Sequence, residues 1–299
     1  MNLDYELLTK IRRAVALYTT RKTSNILEGD YRSIYKSRSM DFEDLKEYTL
    51  GDEVHDIDWK SSSRMGTTLV RRYMTDRRHN VMFVCDCGSK MMGDTAAGES
   101  KKELALTTFG TIAYISQKNG ADVALAYPCN NTSAISIFKS DTAHLEKLMY
   151  EYDKHIYEDA NRTVEQTLKD VVDSLHKHMI IVLITDMESL GDIDPRVIKA
   201  VTQNNDLLVM ALEDAMLTGD NVYDLGAGNY ERFFLSHSKA LHEYEIECRQ
   251  ATAGRINDAC IQSRVSVVSV AAAEQIIDNT IILFERYKNG DYGYITARL

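Results

Sequence analysis

The chain has 299 residues, with 35 lysines and arginines against 45 aspartates and glutamates, and a formal net charge of -10. Hydrophobic residues make up 44% and charged residues 27%, which supports a sizeable core and excludes wholesale disorder. Because α/β folds of this length are often one unit, we expect one large domain with an elaboration. The longest apolar stretches, 179–184 and 207–212, are too short to cross a membrane, so we expect no stable membrane insertion. The N-terminus places acids and arginines in an amphipathic pattern rather than a signal-peptide core, which predicts a cytoplasmic protein.

The first 80 residues differ from the remainder in charge and in pattern. They carry 15 basic and 13 acidic residues, whereas the remainder carries 20 and 32. Apolar residues at helical spacing predict a helix over 3–19, and the polar, glycine-punctuated segment after it predicts short extended pieces such as 68–73. We therefore predict an N-terminal module over 1–78 that packs on a body over 79–299. The acidic body disfavours nucleic acid as a partner.

From residue 81 onwards, apolar strands alternate with amphipathic helices. Strands are predicted over 81–85, 122–127, 134–138, 179–185, 207–212 and 266–271. Helices are predicted over 100–117, 142–152, 163–177, 196–202, 238–263 and 274–288. Strands this apolar, separated by helices, are typical of a mainly parallel sheet that is covered on both faces. The sequence thus predicts a three-layer, doubly wound, Rossmann-like α/β fold.

Two aspartates end predicted strands, since Asp86 follows VMFVC and Asp186 follows IIVLIT. Ligands of such sheets bind beyond the carboxyl ends of the strands, so neighbouring strands would bring both carboxylates to one rim. An aspartate after a strand is also a common turn former, and both interpretations stay open. Thr163, with Gln166 three residues later, is typical of a capping box at a helix start.

Acidic residues also concentrate in the segment 51–59, which reads GDEVHDIDW. Together with Asp86, these groups could hold a metal and activate water, as in a hydrolase. We favour a structural network, anchored by burial of the tryptophan, whose carboxylates accept hydrogen bonds from the arginine or from backbone amides. Its expected members are Asp52, Glu53, Asp58, Trp59 and Arg64.

The five cysteines are scattered, and none forms a CxxC pair. This pattern favours reduced thiols over a zinc site or a disulfide framework. Cys85 and Cys87 lie two residues apart at a strand end, so we expect their side chains to point the same way and to pack in the core.

The segment 37–86 contains a block of motifs: Asp41-Phe42, Glu47-Tyr48, Gly51-Asp52-Glu53, Ile57-Asp58-Trp59, Ser63-Arg64 and the strand VMFVCD. In these motifs it resembles the bacterial DUF 58 family, in which such a block precedes a von Willebrand factor A type domain. Where family members usually carry arginine, this chain has His55. The resemblance continues through Asp186 to the C-terminal third. It implies a von Willebrand A type domain over 79–299.

The resemblance also implies a metal-ion-dependent adhesion site, which consists of an Asp-x-Ser-x-Ser loop, a threonine and a second aspartate. The corresponding positions here are Asp86, Gly88, Lys90, Thr163 and Asp186. Gly88 and Lys90 lack the hydroxyls that orient magnesium, so we expect a degenerate site without a cofactor, with magnesium at Asp86, Thr163 and Asp186 as the minor alternative. We hypothesise that Lys90 replaces the ion by pairing with Asp86 and Asp186. The alternative is that Lys90 points to solvent and Ser89 supplies a hydroxyl.

By this resemblance, the chain is expected to be a non-catalytic, protein-binding adaptor rather than an enzyme. It would work with a MoxR-type AAA+ ATPase in the chaperone-like maturation or remodelling of client proteins. The contact would use the rim around Asp86 and Asp186, or the acidic surface. Two alternatives stay open: a metal-dependent hydrolase that uses the acidic segment 51–59, and a scaffold of a cell-envelope or gliding-type complex.

Overall fold

A six-stranded sheet with helices on both faces forms the centre of the protein. The computed structural model describes residues 9–11, 13, 42–49, 52, 54–73, 79–95, 97–156, 162–218, 222–224, 229–231 and 238–295. The strands are β1 (Phe42–Glu47), β2 (Leu69–Tyr73), β3 (Asn80–Cys85), β4 (Asp122–Cys129), β5 (Thr132–Ile135), β6 (Ile180–Asp186), β7 (Asp206–Leu212), β8 (Val222–Asp224), β9 (Asn229–Glu231) and β10 (Ser266–Val270). The helices are α1 (Trp59–Met65), α2 (Lys101–Lys118), α3 (Thr142–His155), α4 (Val164–Ser174), α5 (Met187–Asp192), α6 (Pro195–Asn204), α7 (Lys239–Ser263) and α8 (Ile276–Asn289).

The strand order of the central sheet is β10-β7-β6-β3-β4-β5. All neighbouring pairs are parallel except the edge pair of β4 and β5, which is antiparallel. Every residue of β6 and β7 is buried, as expected for parallel strands that are covered on both faces. The predicted mixed α/β class with a doubly wound, mainly parallel sheet is confirmed.

Two hydrophobic cores lie on opposite faces of the sheet because successive side chains of a strand alternate in direction. Phe83 of β3 packs with α2, α3 and α8, whereas its neighbour Val84 packs with the layer formed by α4 to α7. Cys85 and Cys87 both lie in the first core as free thiols, so the prediction that they pack in the core is confirmed.

One described residue of the N-terminal region, Ile11, packs in the first core. Residues 9–11 and 13 are helical, and the rest of the predicted helix 3–19 lies outside the described residues. Ile11 is buried in the first core, where its Cδ1 would lie 2.6 Å from a Cβ atom added at Gly110 of α2. This close approach requires that position 110 carry no side chain.

Strands β1 and β2 pair as an antiparallel hairpin that encloses α1. The predicted extended piece 68–73 corresponds to β2, but β1 and α1 were not predicted, because this polar segment has no clear apolar period. Asp58 caps the start of α1, and Gly66 ends the helix in the left-handed conformation at φ 75°. None of the seven residues of α1 is buried.

Other differences from the predicted elements are local. The helix predicted over 163–177 ends at Ser174, and the strand predicted over 134–138 is replaced by β5. The six-residue helix α5 was not predicted, because it is too short to show a helical period. Among the described residues, no helix combines the length and the apolar character that crossing a membrane requires.

Candidate functional site

The carboxyl ends of β3, β6 and β7 lie side by side and form one rim of the sheet. Asp86 directly follows β3, Asp186 is the last residue of β6, and Asp214 is the second residue beyond β7. The amide of Asp86 donates a hydrogen bond of 2.9 Å to the carbonyl of Ile184 on β6, which continues the ladder between the two strands. The structure therefore brings Asp86 and Asp186 together at adjacent strand ends.

Protein donors already hold both carboxylate oxygens of Asp86. The backbone amide of Gly88 donates to Oδ1 at 2.9 Å, and the hydroxyl of Thr185 donates to Oδ2 at 2.9 Å. The hydroxyl of Tyr152 donates to the backbone carbonyl of Asp86 at 3.0 Å. Asp86 is buried, so these bonds replace the water that its oxygens would otherwise bind.

Asp186 is fully buried and has one oxygen without a partner. Its Oδ1 caps α5 by accepting a hydrogen bond of 2.6 Å from the amide of Ser189. Its Oδ2 is buried with no hydrogen-bond partner. Burial and the charge of Asp214 raise the pKa of Asp186 to about 6, against the lowering effect of the positive charge on Lys101.

The buried cation at this rim is Lys101, the first residue of α2. Its ammonium group donates hydrogen bonds to Oδ1 of Asp214 and, at 3.2 Å, to the backbone carbonyl of Lys90. The side chain of Lys101 is only 6% exposed, whereas that of Asp214 is 23% exposed. Lys101 therefore supplies positive charge between the loop after β3 and the loop after β7.

Lys90 has different partners from those that the sequence suggested. Its ammonium group lies 3.1 Å from Oε1 of Glu188 and 3.5 Å from Oδ2 of Asp192, both on α5. Among the described residues, it forms no ion pair with Asp86 or Asp186. The hypothesis that Lys90 pairs with these two acids is corrected, because its ammonium group pairs with two acids of α5 instead.

The remaining expected rim residues have local roles. Gly88 precedes the short 3-10 turn Ser89–Met92, and a Cβ atom at position 88 would lie 3.3 Å from Oδ1 of Asp86. Ser89 is exposed. Thr163 forms a capping box with Gln166 at the start of α4, which confirms the predicted cap.

These residues do not match the needs of a divalent ion. Magnesium requires nearly octahedral oxygen ligands. Here both oxygens of Asp86 are occupied by hydrogen bonds, Gly88 offers no side-chain oxygen, and an ammonium group already contacts Asp214. In the part of the chain that the structure describes, no group of three or more His, Cys, Asp or Glu side chains could hold a metal.

In the acidic segment 51–59, the described aspartates make structural contacts. Asp52 accepts hydrogen bonds from Lys46 at 2.6 Å and from the amide and hydroxyl of Thr49. These bonds lower the pKa of Asp52 to about 2, and the bond from Lys46 has the largest effect. Asp58 caps α1, accepting from the amides of residues 60 and 61, and pairs with Arg71 of β2 at 3.1 Å. Glu53 and the side chain of His55 lie outside the described residues.

Two expectations for this network are wrong. Trp59 is 68% exposed rather than buried as an anchor, and none of the other residues of α1 is buried either. The arginine that pairs with Asp58 is Arg71, not Arg64, which is exposed. A residue on the neighbouring strand can reach the helix cap, whereas Arg64 lies at the other end of α1.

Sequence reasoning also missed Lys101 and Asp214. Asp214 follows an apolar strand in the same way as Asp86 and Asp186, so the same rule could have found it. The signal for Lys101 is weaker. The helix dipole disfavours the positive charge of a lysine in the first turn of a helix. A lysine at such a position therefore suggests that a nearby acidic side chain pairs with it.

The protein thus belongs to the class of mixed α/β proteins with a mostly parallel central sheet whose acidic side chains gather at one rim. The chain belongs to the family described as protein of unknown function DUF58, whose family model matches residues 44–224. The matched part includes most of the β1–β2 hairpin and the strands β3 to β7 of the central sheet.

Curated relatives of this chain are themselves uncharacterized. The proteins Mb1516 of Mycobacterium bovis and Rv1480 of Mycobacterium tuberculosis are each 24% identical to it over 119 residues. That match covers 40% of this chain and 37% of each relative. Less than two thirds of the length of these relatives is therefore matched.

Solved structures with a similar fold include von Willebrand factor A domains. The conserved hypothetical protein BatB from Bacteroides thetaiotaomicron is 12% identical, with a TM-score of 0.48, and the match covers 71% of this chain and 99% of BatB. A von Willebrand factor type A protein from Catenulispora acidiphila is 12% identical, with a TM-score of 0.40, over 74% of this chain and 45% of that protein. The SpRpn10 VWA domain is 11% identical, with a TM-score of 0.35, over 68% of this chain and 95% of that domain.

Proposed function

We propose that this protein is a non-catalytic adaptor whose partner is a MoxR-type AAA+ ATPase that remodels or matures client proteins. The observation that carries the proposal is an exposed apolar surface on the N-terminal module. We define it as the α1 surface, which comprises Val54, Trp59, Lys60, Arg64 and Met65.

The apolar members of the α1 surface are unusually accessible. Val54 is 62% exposed, Trp59 68% and Met65 72%, and Trp59 is the single tryptophan of the chain. Trp59 and Met65 are the first and last residues of α1, which spans only about 10 Å, so one partner can reach both of them. Tryptophan is enriched among the residues that dominate binding energy at protein interfaces, so the α1 surface is suited to bind another protein.

The charge of the α1 surface favours an acidic partner. Lys60 and Arg64 are both exposed, and within the described part of the chain neither forms an ion pair. Cations at the edge of an apolar patch steer an acidic surface towards it and fix its orientation. We therefore infer that the face of the ATPase that binds here is acidic with an apolar centre.

The described acidic groups of the segment 51–59 support the non-catalytic part of the proposal. The pKa of Asp52 is lowered, chiefly by the hydrogen bond that it accepts from Lys46. The pKa of Asp58 is also lowered, chiefly by the hydrogen bond from the amide of Ser61, and Arg71 contributes as well. A general base near neutral pH needs a pKa close to 7. The described carboxylates of the segment 51–59 therefore favour a structural role over the hydrolase alternative.

Affinity capture with a matched control tests the proposal. Tagged wild-type protein, Trp59→Ala and Tyr150→Ala are each captured from native cytosol, and the MoxR-type ATPase is quantified by mass spectrometry. Tyr150 is an aromatic residue of α3 that is 52% exposed and lies outside the α1 surface. We expect Trp59→Ala to recover at least tenfold less ATPase, since loss of an interface tryptophan typically costs about 2 kcal/mol or more. Tyr150→Ala should leave recovery unchanged.

Reversal of the charge gives a second test of the same surface. We expect Lys60→Glu combined with Arg64→Glu to reduce recovery further at low salt than at high salt, because salt screens exposed charges. Unchanged recovery of the ATPase with Trp59→Ala would contradict the proposal. Metal-dependent hydrolysis of a generic phosphoester or peptide that Asp52→Asn abolishes would support the hydrolase instead. Recovery in the membrane fraction without the ATPase would support the scaffold.

A further inference from the structure

We propose that α7 is the interface of a symmetric homodimer in which two copies of this helix pack antiparallel, with Ala251 at the two-fold axis. The exposed side of the helix carries the residues that form this interface. We define this side as the α7 face, which comprises Leu241, Tyr244, Glu247, Cys248, Ala251, Arg255, Asp258 and Ile261. The inference does not depend on the adaptor function, because the α7 face shares no residue with the α1 surface.

Large apolar side chains on the α7 face are the first observation that points to a partner. The opposite side of α7 packs in the second core through residues such as Ala253 and Ile256. On the α7 face, Tyr244 is 64% exposed, Ile261 52% and Leu241 39%. The solvent side of a surface helix is normally polar, so several such side chains along one helix indicate a surface that another protein covers.

The spacing of residues on the α7 face suits a second helix. Tyr244, Ala251 and Asp258 follow one another at intervals of seven residues, so they lie on one line along the helix. Two helices that cross at a shallow angle meet along such a line. Ala251, at the middle of the line, is small and exposed, which allows the two helix axes to approach to about 8 Å.

The charges of the α7 face select a second copy of the chain in the antiparallel direction. In an antiparallel pair centred on Ala251, a residue before this position in one copy meets the residue equally far after it in the other. Glu247 and Arg255 lie four positions on either side, so their ion pair forms twice. A parallel pair would instead place the two glutamates side by side. Among the described residues, neither Glu247 nor Arg255 forms an ion pair, and Arg255 donates a hydrogen bond of 3.1 Å to the hydroxyl of Thr252.

The same axis matches two further pairs of residues. Leu241 and Ile261 lie ten positions on either side of Ala251, so the exposed apolar residues at the two ends of the α7 face meet each other. Tyr244 and Asp258 lie seven positions on either side, where the tyrosine hydroxyl can donate a hydrogen bond to the carboxylate. One centre therefore provides an ion pair, an apolar contact and a hydrogen bond on each side of the axis.

Sedimentation equilibrium of the full chain with reversed charges tests the interface. We expect the wild type to dimerise, and we expect Glu247→Arg and Arg255→Glu each to raise the dissociation constant of the dimer at least tenfold, because like charges then meet twice. The two substitutions combined should restore dimerisation, since they exchange the partners of the same ion pair. Glu103→Arg is the control, because Glu103 is exposed on α2, which packs on the opposite face of the sheet. A monomeric wild type, or a dimer that the single reversals leave intact, would overturn the inference, as would a combined variant that stays monomeric.

A disulfide test locates the two-fold axis independently of charge. In a Cys248→Ser chain, Ala251→Cys should give a disulfide-linked dimer on mild oxidation, because position 251 faces itself across the axis. Ala240→Cys in the same chain is the control, since position 240 is also exposed on α7 but its two copies lie about 33 Å apart along the helix axes. Non-reducing gel electrophoresis measures the linked fraction. Equal linkage of the two variants, or no linkage of Ala251→Cys, would contradict the antiparallel pairing about Ala251.

Discussion

Replacement of Asp186 by asparagine tests how the rim responds to pH. Burial and the charge of Asp214 raise the pKa of Asp186 from 3.8 to about 6 in the folded protein. The folded state therefore holds the proton more tightly than the unfolded state between these two values. The associated stability is fully present below pH 4 and is lost as the pH rises through about 6.

The size of this effect follows from the pKa difference. About two pKa units correspond to roughly 3 kcal/mol of stability, because each unit is worth 1.36 kcal/mol. Asparagine retains an oxygen that can accept the hydrogen bond from Ser189, and it is as good a helix cap as aspartate. We therefore expect Asp186→Asn to be nearly neutral at pH 4 and to stabilise the protein by about 2–3 kcal/mol at pH 7.5.

Urea unfolding of the wild type and of Asp186→Asn between pH 4 and pH 8, at constant ionic strength, measures this difference. Asp194→Asn is a matched control, since Asp194 also caps a helix, but its hydrogen bond from Arg196 lowers its pKa to about 2. The control should show the opposite sign, with a destabilisation that stays nearly constant between pH 5 and pH 8, because Asp194 is ionised in both the folded and the unfolded state over this range. A stability difference for Asp186→Asn that does not change between pH 4 and pH 7.5 would refute the reasoning.

Two further predictions each compare the stability of two variants at positions that carry the same residue type but have different surroundings. Gly110→Ala should destabilise the protein by about 1–3 kcal/mol, because the new Cβ would overlap Ile11. Gly254→Ala in α7 should instead stabilise it by up to about 1 kcal/mol, because no atom lies within 4 Å of the new Cβ. Glu245→Ala should lower the free energy of unfolding by about 2–4 kcal/mol, because the buried carboxylate of Glu245 accepts three hydrogen bonds from the loop after β7. Glu243→Ala should lower it by less than about 0.5 kcal/mol, because Glu243 is exposed. Urea unfolding at pH 7 measures all four variants. A cost for Gly110→Ala no larger than for Gly254→Ala, or equal costs for the two glutamates, would contradict the respective assignment.

The fold was largely predictable from the sequence because its signals are local. Apolar runs such as 179–185 and 207–212 indicate buried strands, and the helical spacing between them indicates covering layers. Asp86 and Asp186 could be assigned to one rim because parallel strands end on the same edge of a sheet. The hairpin and α1 were missed, since their polar residues carry no apolar period and depend on contacts with each other.

The sequence by itself determined the buried strands of this protein and the acids that follow them, because both depend on residues that are adjacent in the chain. Only the tertiary structure decided which cation the rim contains. Lys90 lies in the loop next to Asp86, but it turns towards α5, and the ammonium group that meets Asp214 belongs to Lys101, 113 residues away in sequence. Likewise, the exposure of Trp59 depends on how a short helix packs on its hairpin. Such choices depend on the direction of a side chain in space, which neighbouring residues in the sequence do not specify.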